Sequence, residues 1–160
     1  MTRWLTSEEQ RAWRAWLATA SSVLERIDSD LRERGLTHAD YEILAHLSEA
    51  PEGALRMGQL ASQVLQSKSR LSYRMDRLEE QGIVTRRACD DDARGTWAVL
   101  TPKGRRLIER EAPRHVELVR QVLMDHLRPQ TQRALIKDLA AALEAMGQAG
   151  DAHASNLGST

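Results

Sequence analysis

The stretch SKSRLSYRMDRLEEQGIVTRRACDDDARGTWAVLTP, residues 67–102, decides the fold class. The apolar residues of its first part are spaced by four and three positions, which places them on one face of a helix: Leu71, Met75 and Leu78. Ser67 is a typical N-cap residue for that helix, and Gly82 stands just past its end. The pattern therefore predicts a helix from about Lys68 to Gln81.

The second part of the stretch has the pattern of two strands joined by a turn. Residues 83–88 and 96–100 contain β-branched side chains, whereas residues 89–95 are turn-forming types apart from Cys89. Residues 58–65, ahead of the stretch, suit a short helix whose apolar side chains point inward: Leu60, Ala61, Val64 and Leu65. Two short helices followed by a hairpin predict a winged helix-turn-helix.

Long helices are predicted on both sides of this unit. Residues 6–34 contain neither glycine nor proline, and apolar residues recur there at spacings of four and three: Trp13, Leu17, Ala20, Leu24, Ile27 and Leu31. Residues 102 to about 127, and those after Pro129, carry similar seams. Such seams are typical of helices packed lengthwise, within one chain or between two chains. The fold class is mainly α with a small β-hairpin wing.

Composition narrows the functional classes. The chain has 160 residues, with 23 Lys and Arg against 23 Asp and Glu, which suits one domain and gives no overall attraction to nucleic acid. No apolar run reaches the length of a membrane span, and the charged N-terminus is unlike a signal peptide. A single cysteine suits a reducing compartment. We expect a cytoplasmic protein without a membrane span.

The predicted helix after Ser67 carries a local excess of positive charge. Its outward and flanking side chains are small hydroxyls, a tyrosine and cations, and they are the candidate DNA contacts: Ser67, Lys68, Ser69, Arg70, Ser72, Tyr73, Arg74 and Arg77. Hydroxyls and Tyr73 suit base edges, together with Lys68, whereas the arginines suit phosphates. The alternative is a solvated cationic face on an ordinary helix.

The hairpin tip supplies a second candidate contact. Arg94 at the end of a wing suits a narrow minor groove, where negative potential is concentrated. Asp92 is placed to brace the loop by pairing with an arginine of the same wing. The alternative is a turn whose aspartates cap their own backbone.

Three ordered motifs resemble the multiple-antibiotic-resistance regulator (MarR) family: LEEQGIVTR at 78–86, DARG at 92–95 and LTPKG at 100–104. The resemblance covers residues 10 to 147. It implies a homodimer built from the first and last two helices, a repressor that binds a near-palindromic operator, and release by a small, often phenolic, effector. It also implies that Asp92 and Arg94 form the wing pair and that residues 67–77 belong to the recognition helix.

The resemblance divides the chain into regions. Residues 1–147 form a single MarR-type domain, with dimerisation helices in 1–35 and 102–147 and the winged helix-turn-helix in 36–101. Residues 148–160 are small and polar and predict a flexible tail. The effector pocket of the family lies where the first, second and fifth helices meet, which makes Trp13, Trp16, Tyr41 and His46 its candidates. The alternative for the two tryptophans is dimer core and its flank.

Other functions have weaker support in the sequence. Cys89 beside arginines suggests a redox-responsive regulator, but the neighbouring aspartates oppose a reactive thiolate. The five histidines show no close ligand pair, and no motif of a catalytic site or cofactor loop is present, so we expect no enzyme, metal or cofactor. A helical protein–protein interaction module remains the alternative from another class.

Overall fold

The computed structural model describes residues 1–89 and 92–147, and only the backbone of residues 92–94. The tail predicted for residues 148–160 lies outside the described residues. The helices are α1 (Ser7–Arg32), α2 (His38–Glu49), α3 (Met57–Gln63), α4 (Lys68–Glu80), α5 (Pro102–Val122) and α6 (Pro129–Ala145). The strands are β1 (Ala54–Arg56), β2 (Val84–Cys89) and β3 (Asp92–Leu100), so the predicted fold class, mainly helical with a small wing, is confirmed.

The helix boundaries follow local capping chemistry. The side-chain oxygens of four residues accept a hydrogen bond from a backbone N–H in the first turn of α1, α2, α4 and α5: Thr6, Thr37, Ser67 and Thr101. Gly82 follows α4 with φ of +67°, a conformation that favours glycine. The N-caps begin the helices, and Gly82 ends α4, so Ser67 and Gly82 together fix the length of that helix.

The wing is a three-stranded antiparallel sheet in the order β1-β3-β2. Val84 pairs with Leu100 at its base, and Cys89 pairs with Asp92 at its outer end. The predicted turn over residues 89–95 is therefore too long. An irregularity in register between Ala88 and Cys89 lets pairing continue into residues that the sequence assigned to the turn.

The core lies under α2. Its largest fully buried side chains come from α1 to α4 and β2: Leu31, Ile43, Leu44, Leu47, Leu60, Leu71, Met75 and Val84. Leu65 was predicted to point inward, and that prediction is wrong. It lies beyond the end of α3, 45% exposed, with φ of +49°. The chain reverses here to begin α4, and this left-handed conformation turns the side chain outward.

The terminal helices leave much of their apolar surface uncovered within one chain. Along α1 only Ile27 and Leu31 are buried, whereas Trp13, Leu17 and Leu24 are exposed. None of the residues of α6 is buried. A helix was predicted from residue 102 to about residue 127, but α5 ends at Val122, because Leu123 has non-helical dihedral angles. No helix within the described residues has the length and apolar character required to span a bilayer.

Candidate nucleic-acid interface

The helix α4 separates its apolar and polar side chains on opposite sides. Leu71, Met75 and Leu78 are buried against the core. Five of the predicted contact residues are exposed: Lys68, Ser69, Arg70, Tyr73 and Arg77. Of these, Ser69, Tyr73 and Arg77 lie opposite the apolar residues. Ser72 and Arg74 lie on the flanks and are half-buried. The helical wheel therefore placed the faces of α4 correctly, and three exposed cations of the helix stand against two exposed acids, Asp76 and Glu80.

The N-terminal end of α4 opens onto a groove. The Ser67 hydroxyl accepts from the backbone N–H of Arg70, and its oxygen lies 3.2 Å from that of Ser69. A cavity of about 550 Å³ separates this end from the start of α3 and from the wing, and three of the residues that line it are cations: Arg56, Lys68 and Arg86. Positive charge and helix N-terminal N–H groups both attract anions. The groove is therefore suited to negatively charged groups.

The half-buried guanidinium of Arg74 is bonded to α2 and to its N-cap residue. Its Nη1 donates to Thr37 Oγ1 at 3.1 Å and to Asp40 Oδ1 at 3.2 Å. Asp40 is buried and also accepts from the Thr37 hydroxyl at 2.6 Å within the N-terminal capping box of α2. A helical wheel of α4 alone gives no sign of this partner, because the partner belongs to another helix. Arg74 thus joins α4 to α2.

Arg86 of β2 binds two acids of α4, and the sequence analysis did not identify it as a functional residue. Its Nε and Nη2 donate to Glu79 Oε2 at 2.9 and 2.7 Å, and Nη2 also reaches Asp76 Oδ1. These hydrogen bonds lower the pKa of the Glu79 carboxyl. The available signal was a pair of acids one helical turn apart at the end of α4, followed by an arginine in the first wing strand. Arg86 therefore ties the wing to α4.

The side chains at the wing tip lie outside what the structure describes. This applies to the predicted minor-groove residue Arg94 and to its predicted brace Asp92, whose backbones belong to β3. Cys89, the candidate redox residue, is buried at the end of β2. Residues 1–89 and 92–147 contain no group of three or more His, Cys, Asp or Glu side chains that could hold a metal ion.

The candidate effector residues form two aromatic pairs. Trp13 and Trp16 stack on each other on exposed α1, with ring centroids 5.4 Å apart. Tyr41 is buried on α2 and stacks on His115 of α5 at 4.0 Å. Burial raises the pKa of the Tyr41 hydroxyl and lowers that of the His115 ring. His46 is half-buried on α2. Tyr41 thus lies at the junction of α2 and α5, whereas the tryptophans lie on the surface of the chain.

Charged residues connect α1 to α5 beside this junction. Asp30 of α1 binds Arg34, in the turn that follows the helix, and Arg114 of α5, the latter at 2.7 Å between Oδ1 and Nη2. Arg34 also pairs with Glu111 of α5, which is buried. The hydrogen bond from Arg34 is the main reason that the pKa of Asp30 falls to about 2. The network fixes how the N-terminal helix sits on α5.

Comparisons with known proteins place this architecture in one group. The family model described as "MarR family" matches residues 34–95. The crystal structure of AbsC, a MarR family transcriptional regulator from Streptomyces coelicolor, is 41% identical with a TM-score of 0.88, covering 92% of this chain and 100% of AbsC. Sco3205 from the same organism, a MarR family transcriptional regulator solved in complex with DNA, is 39% identical with a TM-score of 0.86, covering 91% of each chain.

A regulator from another organism also matches. The HTH-type transcriptional regulator PecS from Dickeya dadantii (strain 3937) is 32% identical over 110 residues. The match covers 67% of this chain and 66% of PecS, so the chain spans about two thirds of the length of that relative. The sequence match to PecS and the structural matches to AbsC and Sco3205 therefore both identify transcriptional regulators as the relatives of this chain.

Proposed function

This chain belongs to the MarR family of winged helix-turn-helix transcriptional regulators, and from that premise we propose that it is a cytoplasmic, sequence-specific DNA-binding repressor. The exposed basic face of α4 beside the wing is the observation that carries the proposal. The MarR family consists of transcriptional regulators and not of enzymes, so the proposed function requires no catalytic site.

The proposed DNA contacts divide between α4 and the wing. Base edges in the major groove are contacted by Lys68, Ser69, Ser72 and Tyr73. Ser67 caps α4, whose N-terminus faces the phosphate backbone of the DNA. Arg70 and Arg77 bind phosphates. Arg94 enters the minor groove, braced by Asp92. Arg74 is assigned to holding α4 in place, because its guanidinium is already bonded to Thr37 and Asp40.

The protein acts as a homodimer in this proposal. The uncovered apolar residues of α1 and α6 support it, since exposed apolar surface of this extent marks an interface. A two-fold dimer reads a near-palindromic operator whose half-sites lie roughly 34 Å, one turn of DNA, apart.

A small phenolic effector releases the repressor in this proposal. The buried stack of Tyr41 on His115 supports a site at the junction of α1, α2 and α5, where a ring can pack between helices. Binding there favours a dimer whose recognition helices no longer match successive grooves. Adding salicylate or another simple phenol to the DNA complex tests this proposal. Release at a concentration that leaves the fold unchanged supports it, and an intact complex with a panel of phenols opposes it.

Fluorescence anisotropy with DNA from upstream of its own gene tests the DNA-binding proposal. The two phosphate-binding arginines of each protomer make about four cationic phosphate contacts per dimer, which give a slope of roughly −4 for log affinity against log salt. Alanine at Arg70 and Arg77 should weaken binding to all sequences, whereas Arg11→Ala removes the same charge from α1 and serves as the control. Binding no stronger than to scrambled DNA, or a slope near zero, contradicts the proposal.

A further inference from the structure

The strongest polar contact between β2 and α4 is made by one arginine and two acids, and we call it the clamp: Arg86, Asp76 and Glu79. Arg86 Nε lies 2.9 Å from Glu79 Oε2, and its Nη2 reaches both Glu79 and Asp76. The backbone N–H of Arg86 also donates to Glu79 Oε1, at 2.8 Å. Since β2 is an edge strand, Glu79 meets a backbone donor on the side away from β3. Both the side chain and the main chain of the wing are thus bonded to the recognition helix.

Among the described residues, the clamp supplies most of the hydrogen bonds between α4 and the wing, so its position decides how the two are held together. Arg86 lies in the middle of β2, between the base of the wing at Val84 and its outer end at Cys89. A rotation of the wing about its base would break all four bonds together. The clamp therefore sets the angle between the strand and the helix.

The charges of the clamp are matched within the chain. The guanidinium of Arg86 faces the carboxylates of Asp76 and Glu79, which occupy its Nε and Nη2 and offset its charge before any phosphate arrives. Asp76 also lies on the exposed side of α4, the side that carries the basic residues. An acid on such a surface repels the DNA backbone unless a cation pairs with it.

We propose that Arg86 is a positioning residue for DNA binding. Through Glu79 and Asp76 it holds the wing at a fixed angle to α4, so that the helix and the wing enter adjacent grooves together, and it touches no DNA itself. The inference rests on the proposed function, and it adds three residues to the DNA-reading machinery. Its particular consequence is that two acids near the DNA surface strengthen binding.

The sign of one measurement separates this role from a simple charge effect. Removing an acid near DNA strengthens binding if only electrostatics acts. If Glu79 positions the wing, Glu79→Gln and Asp76→Asn each weaken operator binding by about three- to tenfold, a size typical of coupled neighbouring residues. Glu80→Gln makes the same charge change at an exposed position on the same helix, and it should leave binding equal or slightly tighter.

Variants of Arg86 complete the experiment. Arg86→Met should weaken binding, and the double variant Arg86→Met with Glu79→Gln should be no weaker than Arg86→Met alone, because the same contact is lost. Arg87→Met removes a charge from the next residue, which points to the other face of the strand, and serves as the control. Hydroxyl-radical footprinting should show that Arg86→Met loses minor-groove protection at the flanks of the operator, and dimethyl sulfate should show that guanine N7 atoms in the major groove stay protected.

The outcomes distinguish this inference from the proposed function. All these pairs are partly exposed, so the variants should fold, and their melting temperatures should stay near that of the wild type. If the wild type fails to bind any DNA specifically, the proposed function is wrong. If the wild type binds but Glu79→Gln and Asp76→Asn bind more tightly, or if Arg86→Met and Arg87→Met behave alike, the positioning role is wrong.

Discussion

Gly104 in the first turn of α5 lies so close to Ile83 that a Cβ atom on the glycine would be 2.1 Å from the Ile83 carbonyl oxygen. The same oxygen accepts from the backbone N–H and the hydroxyl of Thr101, at 3.1 and 2.9 Å. The start of α5 is therefore fixed against the segment between α4 and β2. This is a point at which the C-terminal helical region is joined to the winged helix.

Replacing Gly104 with alanine should destabilise the protein by about 3 kcal/mol, because the new methyl group meets backbone that cannot move aside. Urea unfolding measures the change. Gly58→Ala is the matched control, since a Cβ there meets nothing within 4 Å in helix α3, and it should stabilise by about 0.5 kcal/mol. Equal stability of the two variants would show that the helix shifts freely at Gly104.

The arginines of α4 should separate into a structural one and DNA-binding ones. Arg74→Met leaves the buried carboxylate of Asp40 without its cation and should cost about 1–2 kcal/mol of folding free energy. Arg77→Met, on the exposed face, should change stability by less than about 0.5 kcal/mol and weaken DNA binding instead. Chemical denaturation and DNA titration of both variants check the prediction. It fails if Arg77→Met is the less stable of the two.

Asp30 should make folding stability depend on pH in acid. Its pKa is about 2 in the folded chain against an ordinary value of 3.8, so the native state favours the ionised form. A carboxyl with a lowered pKa contributes stability that is fully present above its unfolded pKa and is lost as pH falls toward its folded pKa. We expect a loss of about 1–2 kcal/mol between about pH 4 and pH 2, allowing for partial solvent screening.

The variant Asp30→Asn tests the assignment of this pH dependence. It should be less stable than the wild type near neutral pH, and the difference should shrink as the pH falls through that window. Glu52→Gln, which removes an exposed carboxylate from a turn, provides the comparison. A wild-type curve and an Asp30→Asn curve that stay parallel down to pH 2 would contradict the role of Asp30.

The seams of α1 and α6 should control association. Leu24 and Leu139 are 48% and 40% exposed in one chain. In a symmetric homodimer, the partner chain should cover each of these leucines in both protomers. Leu24→Glu or Leu139→Glu should raise the dissociation constant at least about 100-fold. Leu65→Glu alters an equally exposed leucine, at 45%, in the turn before α4, and should leave the assembly unchanged. Sedimentation equilibrium distinguishes these cases, and identical behaviour of the three variants would contradict a dimer through α1 and α6.

Sequence reasoning succeeded where a structure is set by neighbours in the chain. The N-cap at Ser67, the apolar face of α4 and the glycine after it depend on spacings of a few residues, and all three are as predicted. The start of α5 at Thr101 and Pro102 follows the same rule. Local chemistry was therefore enough to place α4 and to orient its faces.

Contacts between distant residues were beyond that reasoning. The partner of Arg74 lies 34 residues away at Asp40, and no helical periodicity links the two. Arg86 is nearer to Glu79 in sequence, but a glycine turn separates them, so their contact depends on how β2 folds back beside α4. The prediction that Leu65 points inward was wrong for a related reason: its left-handed backbone conformation, and not its hydrophobicity, decides where the side chain points.

The lack of any buried residue in α6 bears on the time course of assembly. A helix in a protein gains most of its stability from packing, so α6, in which no residue is buried, becomes stable mainly when a second surface covers it. In the proposed homodimer, the winged helix folds at a rate independent of protein concentration, whereas α6 becomes stable in a bimolecular step. The number of assembled dimers in a cell would then rise more steeply than the number of chains synthesised. Repression would therefore be most sensitive to the expression level when the protein is scarce.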